Sequence, residues 1–433
     1  MTGETRGPIA GNERISSLDV IRGVALLGIL LMNIVGFGLP YAYQDPTNSG
    51  GADGLNLLAW EVNTLFFEGT MRGLFSVLFG AGIVLMTSRA EARDPSVNVA
   101  DIYFRRNLWL VAFGLVNSWL LLFTGDILFR YGIIALFLFV FRKASPRFLI
   151  ILGVLLLASL STKDIYWMSL ERQDLAAAET AQALLDDGVE ISEEQQDAID
   201  SWQENLDDSE VSAELIEETI ATRKSGYIEN FAFNAETQIQ NQSYNFYMFT
   251  FWDCAGMMLI GMALLKLGVL NAERSTRFYL AMMAVGYAIG LAVNAYEIDL
   301  LLSTNFGYMA VGQAYITADL GRLFVTLGHV GLVMLICRKG WLGWLTKRLA
   351  AVGQMALTNY IMHTVICIFF FFGIGFAMFG ELQRHQLYYV VFAIWILQLI
   401  ISPIWLKHFR FGPLEWLWRS LTYNKRQPLR RGL

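Results

Sequence analysis

"SSLDVIRGVALLGILLMNIVGFGLP", residues 16–40, is the stretch whose reading decides the fold. From Val20 onward it is apolar for long enough to cross a ~30 Å hydrocarbon layer as a helix. Yet Asp19 and Arg22 stand at its entrance and Asn33 lies well inside it. Runs of the same kind recur along the 433 residues, of which 55% are hydrophobic and 14% aromatic. The mean hydropathy of +0.44 exceeds what a water-soluble core requires. The alternation that barrel strands need is absent. The sequence therefore predicts an all-α integral membrane protein.

Ten spans are expected, at 20–40, 71–88, 107–124, 127–142, 147–163, 245–265, 278–296, 319–337, 352–376 and 387–406. The stretch before the first, "MTGETRGPIAGNERISS", lacks the short apolar region and cleavage site of a signal peptide, so the first helix is expected to stay. Positive residues gather in cytoplasmic loops. Arg89, Arg93, Arg105 and Arg106 mark one side, as do Arg142, Lys143 and Arg147, then Lys266, Arg274 and Arg277, then Arg338, Lys339, Lys347 and Arg348, and the tail from Lys407 to Arg431. The alternate loops are acidic or nearly uncharged. Ten spans with both termini cytoplasmic satisfy every loop, and the expected site is the bacterial inner membrane.

Three segments follow: membrane helices in 1–163, an acidic insertion at 164–244, and further membrane helices with a basic aromatic tail in 245–433. The insertion carries 20 acidic residues against Arg172, Arg223 and Lys224, a balance of −17 that leaves +11 for the rest. Ser192 with Gln195 fits a capping box, so a helical periplasmic cap is expected, serving as a spacer or as a lid. Cys254, Cys337 and Cys367 lie in apolar runs without a C-x-x-C pair, which predicts buried thiols and no metal site. No P-loop is present, which argues against an ATP-driven pump. Nothing in the charge pattern suggests nucleic acid as a partner; membrane lipids are the expected surroundings.

Charged groups inside spans are costly and mark functional sites by default. Asp19 and Arg22, one turn apart, form a structural pair or hold a phosphate-bearing cytoplasmic ligand. Asn33 lies ~20 Å into the first span at the helical rise of ~1.5 Å per residue, and His363 a similar distance into the ninth. His363 is a natural general base, with His329 as the alternative. Glu68, Arg72, Asp126, Arg130, Asp253, Asp319 and Arg322 all fall in the outer turns of their spans. They form a hydrated outer cavity or a structural polar network. Glycines in the second and sixth spans, Gly73, Gly80, Gly82, Gly256, Gly261 and Gly268, read as sites of close helix packing.

"LDVIRGVALLGILLMNIVGFGLP", "LFSVLFGAG", "GDILFRYGI", "MLIGMALLKLGVL", "GQMALTNYIMHTVI" and "RFGPLEWLWRSLTYNKRQPLRR" resemble, in order, the signature segments of the YeiB-like membrane proteins. That family carries a C-terminal domain of unknown function numbered 418. The "LD-x-x-RG" opening is more distantly similar to the transmembrane acyltransferase superfamily, which includes heparan-α-glucosaminide N-acetyltransferase. This similarity implies acyl-coenzyme A as cytoplasmic co-substrate and a periplasmic sugar or lipid-linked acceptor. It gives Asp19 and Arg22 a place at the donor entrance and Asn33 a place on the acyl path. Where the O-acyltransferases have histidine eleven residues after the arginine, this chain has Asn33. The base is then expected from His363, with Asn33 donating to the oxyanion. A secondary transporter using the intramembrane carboxylates is the alternative from another class. A scaffold or lipid-sensing protein is a third, motivated by the aromatic basic tail.

Overall fold

The computed structural model describes residues 16–93 and 98–431, with the side chain of Arg93 outside that description. The stretch 1–15, read above as no signal peptide, and residues 94–97 lie outside it. Every regular element described is helical. The membrane part opens with α1 (Ser16–Gly38), α2 (Gly54–Phe66), α3 (Thr70–Arg93), α4 (Val99–Leu115) and α5 (Leu128–Leu138). Then α6 (Pro146–Asp186) leads into α7 (Glu193–Ser209), α8 (Ala213–Arg223) and α9 (Tyr227–Gln242). The rest is α10 (Phe251–Lys266), α11 (Thr276–Ser303), α12 (Tyr308–Lys339), α13 (Gly343–Gln354), α14 (Ala356–Phe371), α15 (Arg384–His408) and α16 (Pro413–Thr422).

Among the described residues, seven helical stretches are long and apolar enough to cross a membrane, or eight if the α13–α14 pair, bent by 82°, counts as one span. Ten were expected, and the two that fall short are those at 107–124 and 127–142. Helix α4 begins with Asp101, Arg105, Arg106 and Asn107 and ends in a π-turn at Val116–Leu120. Helix α5 has 11 residues, about 16 Å at the helical rise, roughly half a hydrocarbon layer. Reading apolar content alone merged these short helices with the turns beside them.

The basic loops meet at one end of the bundle. Lys266 donates to Ala144 O at 2.6 Å, Arg338 to Ala272 O at 3.1 Å, Ser17 to Leu270 O at 2.8 Å, and Arg105 to Thr422 O at 3.2 Å. Helix α1 runs up the middle. Of its 23 residues, 18 are buried, and the others are Ser16, Arg22, Val24, Asn33 and Gly36. It packs on α13 backbone to backbone. A Cβ on Gly23 would lie 2.1 Å from Leu349 O, and one on Gly353 2.0 Å from Asp19 O. The glycine of the "LD-x-x-RG" opening is therefore required by α13. The expected packing glycines behave alike where Gly80 faces Met258 O and Gly261 faces Val77 O, but a Cβ on Gly82 would meet open space.

Breaking α13–α14 exposes the first N–H groups of α14, which lipid cannot satisfy. Glu415 of α16 supplies the acceptor. Its carboxylate takes Leu357 N at 2.6 Å, Thr358 N at 3.0 Å and Thr358 Oγ1 at 2.6 Å. The tail is thus docked into the bundle: Trp418 Nε1 donates to Arg106 O at 2.8 Å and Trp416 Nε1 to Gln427 O at 2.7 Å.

The expected boundary at residue 164 falls inside α6, a single helix of 41 residues. The acidic segment folds back at its far end. Gly373 N donates to Arg223 O at 2.9 Å, and Lys224 pairs with Glu381. Burial beside the Phe233 and Phe372 rings lowers the Arg223 guanidinium to about 10. Helix α9 is tied to residues 118–124 through side-chain amides: Asn234 to Leu122 O, Gln238 to Ser118 O and Asn241 to Thr124 O. Ser192 and Gln195 make the expected capping box.

Gly23→Val is expected to force α13 off α1 and lower stability by about 1–3 kcal/mol or more, read as a drop in the melting temperature of the detergent-solubilised protein. Glu415→Ala leaves three donors without a partner and is expected to cost about 2–4 kcal/mol. Burial raises the Glu415 carboxyl above its ordinary value. A raised folded pKa means that the stability it confers is full below about pH 4.5 and is lost as pH rises through the folded value. Glu415→Gln is expected to flatten that part of the melting-temperature profile.

Candidate functional site

Four of the polar residues expected in outer turns form ion pairs. Arg72 Nη2 on α3 pairs with Asp253 Oδ2 on α10 at 2.5 Å, and Arg322 with Asp319 on α12 at 3.5 Å. The Arg322 side chain lies over Gly69, where a Cβ would stand 2.3 Å from its Nε and where φ is +64°. Only glycine fits that turn between α2 and α3 without strain. Glu68 accepts from Thr64 Oγ1 at 3.3 Å. The charges of Glu68, Arg72 and Arg322 all act on Tyr43, which places a phenol from the loop after α1 among them.

Asp126 is 4% exposed and lies before α5, where it accepts from Asn117 Nδ2 at 2.8 Å and Phe129 N at 2.9 Å. It stands one residue before Ile127, the N-cap of α5. Arg130, one turn on, feels the charges of Arg72 and Asp126 and has Tyr360 nearby. Its guanidinium makes no hydrogen bond or ion pair within the bounds of an ordinary contact among the described residues. The region thus holds two ion pairs and, in Arg130, a partly buried guanidinium beside them.

The histidines sit elsewhere. His329 Nε2 donates to Phe66 O at 3.0 Å, and Nδ1 accepts from Tyr287 OH at 2.7 Å. With both nitrogens engaged between α2, α11 and α12, it has no lone pair for a substrate. His363 is 3% exposed and its Nε2 meets Gln398 Oε1 at 3.0 Å. Gln398 Nε2 donates to Asn359 O, so its oxygen must accept and His363 must carry its proton on Nε2. That leaves Nδ1 an enclosed lone pair with no partner among the described residues.

No hydrogen bond joins Asn33 and His363 among the described residues: the His363 ring pairs with Gln398 on α15, while Trp395 Nε1 on α15 donates to Leu27 O on α1 at 3.1 Å. Helix α14 runs alongside α1 from the break, where Gly353 faces Asp19, to Phe371, which faces Gly38.

At the basic end, Arg22 Nη1 pairs with Asp19 Oδ1 at 2.8 Å, as expected. Arg106, counted in the sequence only as a loop charge, lies with its Cζ 3.6 Å from the centroid of Trp418. Arg419 and Arg22 are near enough for their charges to act on it. No local pattern marks this: the residues come from α1, α4 and α16. Arg384, also missed, is 1% exposed and donates to Ala42 O.

A model of a protein family of unknown function, DUF418, matches residues 264–425. Over nearly its whole length the chain is similar to the uncharacterized protein YeiB of Escherichia coli strain K12, 30% identical over 429 residues, covering 96% of this chain and 98% of that one. It is also similar to the uncharacterized protein YxaH of Bacillus subtilis strain 168, 27% identical, covering 98% of this chain and 97% of that one. No solved structure matches.

Arg72→Ala leaves the Asp253 carboxylate without its partner in a site that is largely closed to solvent. A loss of about 3 kcal/mol is expected, and Asp253→Asn in the same chain should restore part of it. Melting temperatures of the two single variants and the double variant check this.

Proposed function

The chain belongs to the YeiB-like family, and we propose that it is an inner-membrane acyltransferase that takes an acyl group from cytoplasmic acyl-coenzyme A. It passes the group to a hydroxyl or amine of a periplasmic sugar or lipid-linked acceptor. In this reading the membrane part crosses ten times, α4 and α5 serving as short spans, with both termini cytoplasmic and the acidic insertion a periplasmic cap.

The observation that carries the reading is the open side of α1. Arg22, Asn33 and Gly36 lie within about 60° of one another around the helix axis at 100° per residue, and they are not buried in a helix that is otherwise closed except at Ser16 and Val24. A Cβ on Gly36 would meet nothing within 4 Å, and the same holds for Gly82 on α3. On α3 the partly open residues Arg72, Phe75, Phe79 and Gly82 recur at helical spacing. An apolar path with a guanidinium at each end suits a thioester whose phosphates stay at the cytoplasmic mouth. Asn33, whose amide makes no hydrogen bond among the described residues, is the donor to the oxyanion that forms as the acceptor attacks. The C–S bond of the thioester breaks, an ester or amide bond forms, and the acceptor's proton ends on the coenzyme A thiol.

His363 holds the proton-accepting role in this reading through Nδ1, which reaches an acceptor only when the α14–α15 contact opens. The outer groups Glu68, Arg72, Asp126, Arg130, Asp253, Asp319 and Arg322 receive the acceptor. A secondary transporter is the second reading, favoured by the Arg72–Asp253 pair beside the uncommitted Arg130.

Acyl-coenzyme A at a hundred times its dissociation constant is expected to stabilise the solubilised protein by about 2.7 kcal/mol, and Arg22→Ala to abolish most of that shift. Stabilisation by a small solute with no response to acyl-coenzyme A would favour transport. Asn33→Ala is expected to lower coenzyme A release 10²–10³-fold without weakening donor binding. Unchanged release in His363→Ala would remove that residue from the mechanism.

A further inference from the structure

The turn between α12 and α13 carries large apolar side chains outward at the basic end. Trp341, Leu342 and Trp344 are 55%, 52% and 67% exposed, and every residue from Arg338 to Trp344 is open to the surroundings. The tryptophans of the tail region are committed: Trp405, Trp416 and Trp418 each donate Nε1 to a backbone carbonyl. Trp341 and Trp344 make no hydrogen bond or ring contact among the described residues. The backbone fixes this exposure. Gly340 closes α12 at φ +68°, and Leu342 takes φ +52°, a left-handed conformation that costs a leucine energy. Its carbonyl accepts from Leu345 N at 2.8 Å and Thr346 N at 2.9 Å, which starts α13. Four cations flank the turn, Arg338, Lys339, Lys347 and Arg348, and no acidic residue occurs between Asp319 and Glu381. Arg338 and Arg348 each donate to one backbone carbonyl, Ala272 O and Leu399 O. Lys339 and Lys347 are exposed and make no hydrogen bond or ion pair among the described residues.

We propose that residues 338–348 dock onto anionic phospholipid, with Trp341, Leu342 and Trp344 entering the acyl region and Lys339 and Lys347 meeting the headgroup phosphates. Charge complementarity selects the occupant. An apolar tip alone would suit any lipid, but four cations without an ion pair among the described residues call for a negatively charged surface. A lysine stem is long and apolar, so its ammonium reaches the headgroups while the turn sits deeper. An indole is most stable where its ring meets acyl chains and its N–H meets headgroup oxygens. The inner side of α13 is already occupied: Ala350, Ala351, Val352 and Gly353 are buried, and Gly353 lies against Asp19. Lipid on the outer side therefore holds α13 onto α1. The proposal goes beyond the acyl-transfer reading and does not depend on it.

The test titrates dioctanoyl phosphatidylglycerol, dioctanoyl phosphatidylcholine and glycerol phosphate against the full-length protein in detergent at fixed ionic strength, and reads the melting temperature. Wild type is compared with two double variants, Lys339→Gln with Lys347→Gln and Trp341→Ala with Trp344→Ala. A charge-matched control, Arg147→Gln with Arg277→Gln, changes two exposed residues at the same end but outside the turn. Phosphatidylglycerol is expected to stabilise wild type and the control at lower concentration than phosphatidylcholine, and glycerol phosphate, which has no acyl chain, to do nothing. The lysine pair is expected to raise the half-maximal phosphatidylglycerol concentration about fivefold or more and to leave the phosphatidylcholine response as it was. The tryptophan pair is expected to weaken the response to both lipids. All four side chains are exposed, so both double variants are expected to fold; Lys339→Gln alone replaces the lysine pair if that one does not. Equal phosphatidylglycerol responses in wild type and the lysine variant, an equal loss in the control, or a glycerol phosphate response matching the lipid's would overturn the proposal. So would a dimer in light scattering that the tryptophan pair splits, since it assigns the face to a second copy of the chain.

Discussion

Glu415 joins the break between α13 and α14 to the C-terminal tail. The 82° bend between α13 and α14 frees backbone donors that lipid could not satisfy. One carboxylate answers three of them. Because that carboxylate belongs to α16, the break and the C-terminal tail stabilise each other. Trp418 is then placed against α4, and Arg106 against Trp418. The same break sets the height of α14 and so decides where Tyr360 and His363 come to rest. Tyr360 OH accepts from Ile127 N at 3.1 Å, linking the broken helix to the turn that carries Asp126.

The second constraint is the near contact of backbones. Gly23 against Leu349 and Gly353 against Asp19 bring α13 onto α1 with no side chain between them. This explains two parts of the "LD-x-x-RG" opening at once. The glycine admits α13, while the aspartate and arginine pair on the helix that α13 covers. The arginine keeps its guanidinium partly open, so a structural pair and a ligand site are compatible at these residues.

The acidic segment is better joined to the bundle than its charge suggested. Four residues of α9, Asn234, Gln238, Asn241 and Gln242, bond to the chain between Ser118 and Thr124. Their three- and four-residue spacing puts a polar stripe on one helix face. That face turns toward the turn before Asp126, so the segment sits over the outer polar groups.

By itself the sequence determined the class of fold and the segregation of charge to one end of the bundle. Each of these follows from composition and periodicity, because lipid demands long apolar helices and penalises unpaired charge wherever the chain places it. The Asp19–Arg22 pair was legible for the same local reason. Tertiary structure decided what depends on where helices start and what they meet. It shortened α4 and α5, which apolar content could not separate from their turns. It gave His363 its partner, Gln398 on α15, a contact that no pattern within either helix encodes. It also brought Arg106 of α4 against the Trp418 ring of α16, a proximity that no spacing encodes.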